Sequence, residues 1–408
     1  MFLNKKEPQL SVAGNSPLDS EEKSTASDYS SSDECALKLN KLSVNSALFI
    51  DNDRNGDHQS GLEVPVLEEQ YIEFGGVLGS GGFSSVRELR GLKRQRGLSE
   101  GVDIMMSRAA SLSLTRSMHS HCSIDDSSSI CNSSVNGGYA IKQLRKDLSR
   151  SSIHNGAIDL AVEARFLTAL SHRNIISLHC VSESSPGNKD FFIVIDRIDR
   201  TLGKEIVGWR RTQERVMKEK SRRGKEYVQG RIQSIYNSRV AVAIEIAQAM
   251  EYLHLHKIIY RDIKPENIGL DYLDVVKIFD FGCAKELKEE QKIGHNQYLS
   301  TARVGTRRYM APEVYLGQSY GLPVDVYSFS ILLWEILSLT SPFENFTSLL
   351  KHANAVYKKH RRPHMGKSWP KVLKTILESG WHKDPSRRAS MDEICEVLKN
   401  YLARGDSQ

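Results

Sequence analysis

A chain of 408 residues with 39% hydrophobic residues has room for two or three domains, or for one two-lobed unit with tails, but is too polar to be globular throughout. Its net charge of +6 is uneven: residues 1–70 hold 6 Lys/Arg against 13 Asp/Glu, which leaves +13 on the remainder. Several classes are excluded. Met1–Pro8 lacks the apolar core of a signal peptide, Asp325 and Glu335 interrupt the most apolar run, Val324–Leu339, and none of the six cysteines stands in a Cys-x-x-Cys pair. A buried helix is therefore expected at that run rather than a membrane span, and a reducing, cytoplasmic setting with nuclear access rather than a zinc or disulfide framework.

Residues 1–67 are rich in Ser, Asp, Glu and Asn and read as a disordered N-terminal tail, because they bury too little apolar area to offset chain entropy. Ser31-Ser32-Asp33-Glu34 matches an acid-directed phosphorylation site, a short pattern that chance also produces. The text changes at Tyr71. Tyr71–Phe74 starts a strand, and Leu78-Gly79-Ser80-Gly81-Gly82-Phe83-Ser84-Ser85-Val86 follows as a glycine hairpin whose backbone N–H groups can approach phosphates. Gly91 to Gly138 breaks the pattern, with 11 serines among residues 107–134, and reads as a disordered insert. Within it, Arg94–Ser99 and Arg108–Ser111 resemble basic-directed phosphorylation sites.

Tyr139-Ala140-Ile141-Lys142 restores a strand. An ammonium in such a strand needs an anionic partner. The helix predicted over Ala157–Leu170 supplies one in Glu163. Phe191–Asp196 reads as a buried strand. Residues 205–235 form a basic insert, with nine Lys/Arg against four Asp/Glu, and Ser238–His256 a long helix. Then comes Tyr260-Arg261-Asp262-Ile263-Lys264-Pro265-Glu266-Asn267, followed by Asp280-Phe281-Gly282. A carboxylate positioned to meet a hydroxyl, a nearby cation, and oxygen donors of the kind Mg²⁺ prefers together suit phosphoryl transfer.

Together with Gly305-Thr306-Arg307-Arg308-Tyr309-Met310-Ala311-Pro312-Glu313, these motifs resemble the eukaryotic-type protein kinase family, serine/threonine class; the last stretch is similar to its tyrosine-kinase-like branch. The resemblance covers about residues 71–403. It implies an α+β, two-lobed protein-kinase-like fold: a small β-rich N-lobe with one helix (71–198, carrying insert 91–138) and a larger, mainly helical C-lobe (199–403, carrying insert 205–235). It implies ATP and Mg²⁺. Asp262, Lys264, Lys142 and Glu163 would be catalytic, and Asn267 and Asp280 would hold the metal. ATP would be bound by Leu78, Gly79, Ser80, Gly81, Gly82, Phe83, Ser84, Val86, Ala140, Lys142, Asp196 and Ile198, with Phe83 capping the phosphates and Ile195 as gatekeeper before an adenine-binding backbone. Substrates would be Ser/Thr-bearing proteins, with no nucleic acid expected. Arg261 would order a segment phosphorylated at Ser300 or Thr301, in which case an upstream activating kinase is a partner. Asp325 would brace the loop, and Glu313 would pair with Arg388. Three residues depart from the pattern: Tyr260 in place of His, Ser84 in place of Gly, and Gly269 where an apolar side chain lies under adenine. The competing readings are a pseudokinase scaffold that binds nucleotide without turnover and a nucleic-acid binder. Finally, Lys351–Lys374 holds eight Lys/Arg and no Asp/Glu, read either as a docking face for acidic substrates, probed at Arg361 and Arg362, or as a solvated basic face.

Overall fold

A computed structural model of the chain describes residues 64–93, 138–219, 223–299, 301–346 and 348–405. The predicted tail up to residue 63, most of the serine-rich insert with Ser99 and Ser111, the Ser31-Ser32 site and Ser300 lie outside the described residues.

The first lobe is a six-stranded sheet with one long helix. Its strands are β1 (Val66–Leu67), β2 (Ile72–Ser80), β3 (Ser84–Leu92), β4 (Tyr139–Leu144), β5 (Leu178–Ser182) and β6 (Phe192–Asp196), in the order β1-β5-β6-β4-β3-β2. Alternation along the strands decides which residues face which layer. On β6, Phe192 and Val194 join Ile141, Leu89 and Cys180 in an outer cluster. Ile193 and Ile195 turn the other way, into the main core with Ala140. Lys142 shares the Ala140 face and lies opposite Val86 on β3 and Ile193 on β6. Helix α1 (Arg150–Ala169) starts where Ser149 caps the Ser152 N–H, well before the predicted start at Ala157, and buries Glu163 among Leu160, Ala164 and Leu167. Two boundaries differ from the compositional reading. Val66 and Leu67, assigned to the tail, form β1 beside β5, with Leu67 buried. Gly91 and Leu92, assigned to the insert, complete β3. A two-residue strand carries too little periodicity to be read from sequence.

The second lobe is mainly helical. After a short strand β7 (Arg200–Thr201) come α2 (Leu202–Lys218) and α3 (Lys225–Leu255). The basic insert is thus built into these two helices: α3 begins some way before the predicted Ser238 and is ~46 Å long at 1.5 Å per residue. Leu202, Ile206, Val216 and Val228 are buried, as is Arg239, whose guanidinium donates to Gln213 Oε1 (3.1 Å) and the Leu337 carbonyl (3.5 Å). Next come β8 (Ile258–Ile259), β9 (Ile268–Leu270) and β10 (Val276–Ile278), with β10-β9-β7 forming a small sheet. Short strands β11 (Lys285–Glu286), β12 (Lys292–Gly294) and β13 (Gln297–Tyr298) lead to the short helix α4 (Pro312–Tyr315). Helix α5 (Pro323–Ser338) is buried along its whole length, in agreement with a core helix. Helices α6 (Leu349–Ala353), α7 (Lys371–Gly380) and α8 (Met391–Gly405) finish the lobe. No helix among the described residues is long and apolar enough to cross a membrane.

One ion pair fastens α4 to the C-terminal region. Arg388 donates to both Glu313 oxygens, at 2.6 and 3.0 Å, and to the Pro323 carbonyl at 2.8 Å. Both side chains are buried. Removing one partner of such a pair leaves an uncompensated buried charge, which costs about 3–5 kcal/mol. Arg388→Ala is therefore expected to lower the unfolding free energy obtained from urea titration by that amount. A shift no larger than the ~0.5 kcal/mol of an ordinary surface substitution would contradict the pairing.

Candidate active site

Between the lobes lies a cleft of about 810 Å³. Its roof is the β2–β3 hairpin, closed by a Gly81 N–H bond to the Ser84 carbonyl (2.8 Å). At Gly79 and Gly82 φ is not positive and a β-carbon would meet no atom within 4 Å, so the fold itself has no need of glycine there. A ligand that approaches the backbone has that need. Ser84 already lies in regular β3 and pairs with Leu144, which is why a serine is accommodated.

On one wall Lys142 Nζ donates to Glu163 Oε2 (2.5 Å) and to Asp280 Oδ1 (3.2 Å). Burial alone would lower the Lys142 pKa, but the two carboxylates outweigh it and hold the ammonium above its ordinary range. Burial pushes the Glu163 carboxyl up against the pull of Lys142. Its Oε1 is buried without a hydrogen-bond partner, so Glu163 holds the lysine through one oxygen only.

Below lies the loop from Tyr260 to Asn267, of which Lys264, Glu266 and Asn267 line the cleft. Asp325, fully buried in α5, accepts from the backbone N–H groups of Tyr260 (2.7 Å) and Arg261 (2.8 Å), which fixes the loop with Arg261 at φ 69°. Four donors converge on the Asp262 carboxylate. Oδ1 accepts from Thr306 N–H (2.8 Å) and the Thr306 hydroxyl (2.6 Å), and Oδ2 from Lys264 Nζ (2.6 Å) and Asn267 Nδ2 (2.8 Å). Gly305 makes this approach possible: at φ 97°, a β-carbon there would collide with the Arg261 carbonyl. Asn267 Nδ2 also donates to the Asp262 carbonyl (3.0 Å), and both of these bonds use the amide nitrogen. Asp280 stands in the left-handed region at φ 67°, with its side chain about half exposed. Next to it, Phe281 is buried edge-on against Tyr260 at 5.3 Å, and the Tyr260 hydroxyl donates to the Phe279 carbonyl.

A family model described as "Protein kinase domain" matches residues 127–398, more than half of the chain. The chain belongs to the protein kinase family. Serine/threonine-protein kinase STY17 of Arabidopsis thaliana is 37% identical over 172 residues, 42% of this chain and 29% of that protein. A probable serine/threonine-protein kinase of Dictyostelium discoideum is 39% identical over 157 residues, 38% of this chain and 16% of that protein. Dual specificity protein kinase shkB, also of D. discoideum, is 36% identical over 173 residues, 42% of this chain and 26% of that protein. The matched stretch thus spans less than a third of each of these relatives. The family match starts after the glycine hairpin, whose strand β3 pairs with β4 inside the matched stretch.

Most of the residues expected at the nucleotide site line the cleft: Leu78 to Gly82, Ser84, Val86, Ala140, Lys142, Asp196 and Ile198, together with Ile195, Lys264, Asn267 and Asp280. Phe83 does not. Its β-carbon packs over Gly156 of α1, where any side chain would clash, so Phe83 joins hairpin to helix instead of covering the cleft. The Asp196 carboxylate is bound by His179 (2.8 Å), the Ser177 N–H (2.9 Å) and Lys277 (3.2 Å), and its backbone N–H donates to the Ser177 carbonyl (3.2 Å). Although burial opposes ionisation, these partners bring its pKa down to about 2. A β-carbon on Gly269 would strike Ile198 Cγ2 and lie 3.2 Å from Phe279 Cε1. The apolar floor that the sequence lacks at Gly269 is therefore supplied by Ile198 and Phe279, both cleft residues. Phe279 was not anticipated; its position just before Asp280 was the available signal. Arg261 donates to the Cys283 carbonyl (2.6 Å) and the Tyr320 hydroxyl (3.3 Å), and Tyr320 in turn donates to the Thr301 carbonyl (2.6 Å).

Proposed function

We propose that the chain is a protein kinase that transfers the γ-phosphoryl group of ATP to serine or threonine hydroxyls of proteins. The observation that carries this reading is that Lys142, Glu163 and Asp280 line one cleft together with Lys264, Asn267 and Thr306, the three residues that hold the Asp262 carboxylate. The names of the Arabidopsis and Dictyostelium relatives support it. The cleft volume falls within the usual range for small-molecule sites.

Lys142, held charged by two carboxylates, would bind phosphate oxygens. The Asp280 carboxylate and the Asn267 amide oxygen are hard donors of the kind Mg²⁺ takes alongside phosphate oxygens and water, so these residues fit the ion. When bound, Mg²⁺ neutralises phosphate charge and orients the nucleotide. Asp262 would accept the proton of the incoming hydroxyl or orient that hydroxyl, and Lys264 would neutralise charge on the moving group. Arg261, linked through Tyr320 to Thr301, would respond to a phosphate placed on Ser300 or Thr301 by an upstream kinase.

Acid hydrolysis of labelled products tests the acceptor class. Phosphoserine and phosphothreonine are expected, with no label incorporated after chelation of divalent cations. Label mainly on tyrosine, or transfer that survives chelation, would contradict the reading.

A further inference from the structure

A second cavity, of about 470 Å³, opens on the helical lobe beside α4. Its walls include Glu313, Gln318, Tyr357, Lys358, His360 and Lys383. The single acid in this set is already neutralised, since both Glu313 oxygens bind Arg388. Among the described residues no ion pair involves Lys358, His360 or Lys383. Beside Pro312, Leu316 and Pro385, the polar lining is therefore neutral or basic with no available carboxylate, an arrangement that focuses positive potential. The perturbation of His360 agrees: burial, then the charges of Arg362 and Lys383, hold its imidazole below the ordinary range.

The backbone is shaped to present these groups. A π-helical turn, Asn354–Lys358, follows α6, and His360 takes φ 54°, an uncommon conformation for a residue with a side chain. Tyr357 stacks on Tyr315 at 4.1 Å, and its hydroxyl donates to the Arg307 carbonyl at 2.6 Å. Arg307 follows Thr306, which is bonded to Asp262. The cavity wall and the phosphate-transfer site are thus joined through one short segment.

The structure also separates the cations of this region by role. Arg362 donates to the Trp381 carbonyl (2.8 Å) and the Val356 carbonyl (3.3 Å) and lies over Tyr327, so it holds the lobe together. Arg361 lies over Phe346. The groups free to meet a ligand are Lys358 and His360 from the basic stretch, and Lys383, which the fold brings in from outside it.

We propose that this cavity is a docking subsite for an aspartate or glutamate side chain of the protein substrate, at a distance from the hydroxyl that accepts phosphate. This rests on the kinase reading and adds a substrate class to it: proteins with an acidic segment beside the acceptor.

Fluorescence anisotropy on the full chain, without ATP, tests the docking separately from turnover. The probes are a labelled serine peptide with an acidic flank and its Gln/Asn counterpart. The acidic peptide is expected to bind about tenfold more tightly. Both Lys358→Glu/Lys383→Glu and the milder Lys358→Gln/Lys383→Gln are expected to remove that preference without lowering the melting temperature. In turnover, KM for the acidic peptide should rise about tenfold at unchanged kcat. Equal binding of the two peptides, equal affinity in wild type and variants, or an oligonucleotide that binds as tightly as the acidic peptide would overturn the proposal. Selective binding without any phosphotransfer would support the subsite and contradict the kinase reading.

Discussion

Asp262→Asn is expected to lower kcat by about 10²–10⁴-fold, with little change in the KM for ATP. The native carboxylate receives four donors, two on each oxygen. An amide retains one acceptor oxygen and replaces the other with a donor. That NH₂ must then face either the Thr306 N–H and hydroxyl or the Lys264 ammonium and the Asn267 amide, all of which donate. The substitution also removes the base that would take a proton from an incoming hydroxyl. Stability should fall by only about 1–3 kcal/mol, the cost of leaving a buried donor unmatched. Asn267 still reaches the residue 262 carbonyl, and Asp325 still holds the two preceding backbone N–H groups. Steady-state kinetics on purified protein, with a melting curve as control, check both halves. A variant that retains wild-type kcat would remove Asp262 from the chemistry.

Lys142→Met is expected to reduce kcat/KM for ATP by about 10²–10³-fold, the range seen when one preorganised electrostatic partner is lost. The change also leaves Glu163 buried without its cation, and its Oε1 already lacks a partner. Losing one member of a buried pair costs about 3–5 kcal/mol when the remaining charge persists. Protonation offers Glu163 an escape. Burial raises its folded-state pKa above the unfolded value, and without Lys142 nothing in the pair opposes that rise. A group with a raised folded pKa contributes stability that is fully present below the unfolded value and is lost as pH rises through the folded value. The variant should therefore be closest to wild type in mild acid and fall further behind toward neutral and alkaline pH. Melting temperatures of both proteins across that range provide the check; a gap that is constant with pH would contradict the role of Glu163.

The parts of the site that could be read from the sequence are those held in one short stretch or fixed by one periodicity. Asp262, Lys264 and Asn267 sit within six residues, so local backbone geometry alone brings them together. Lys142 was visible because an ammonium inside an apolar strand needs anions, and Glu163 because it lies on a helix that follows that strand. The pairing of Glu313 with Arg388 was implied only by the resemblance to protein kinases, since Arg388 stands in the polar stretch His382–Arg387 and nothing local marks it. What escaped depends on tertiary placement. Ile198 and Phe279 fill the floor left open by Gly269 only because β7, β9 and β10 pair side by side. Lys383 joins Lys358 and His360 across a turn and a helix, and no periodicity links them. Phe83 was assigned to the phosphates because it lies among glycines, yet the sheet turns it onto Gly156. The early start of α3 was missed because residues 225–237 carry no clear apolar stripe; the helix there is supported by its neighbour α2, through Arg239 and Gln213.

The most direct test of the central claim is transfer of label from γ-labelled ATP to the protein itself and to a generic protein substrate, with wild type, Asp262→Asn and Lys142→Met run side by side. If the cleft between Lys142 and Asp262 carries out phosphoryl transfer, wild type labels both acceptors and each variant falls to near background. Equal label from all three proteins, or none from wild type with Mg²⁺ and ATP present, would contradict it.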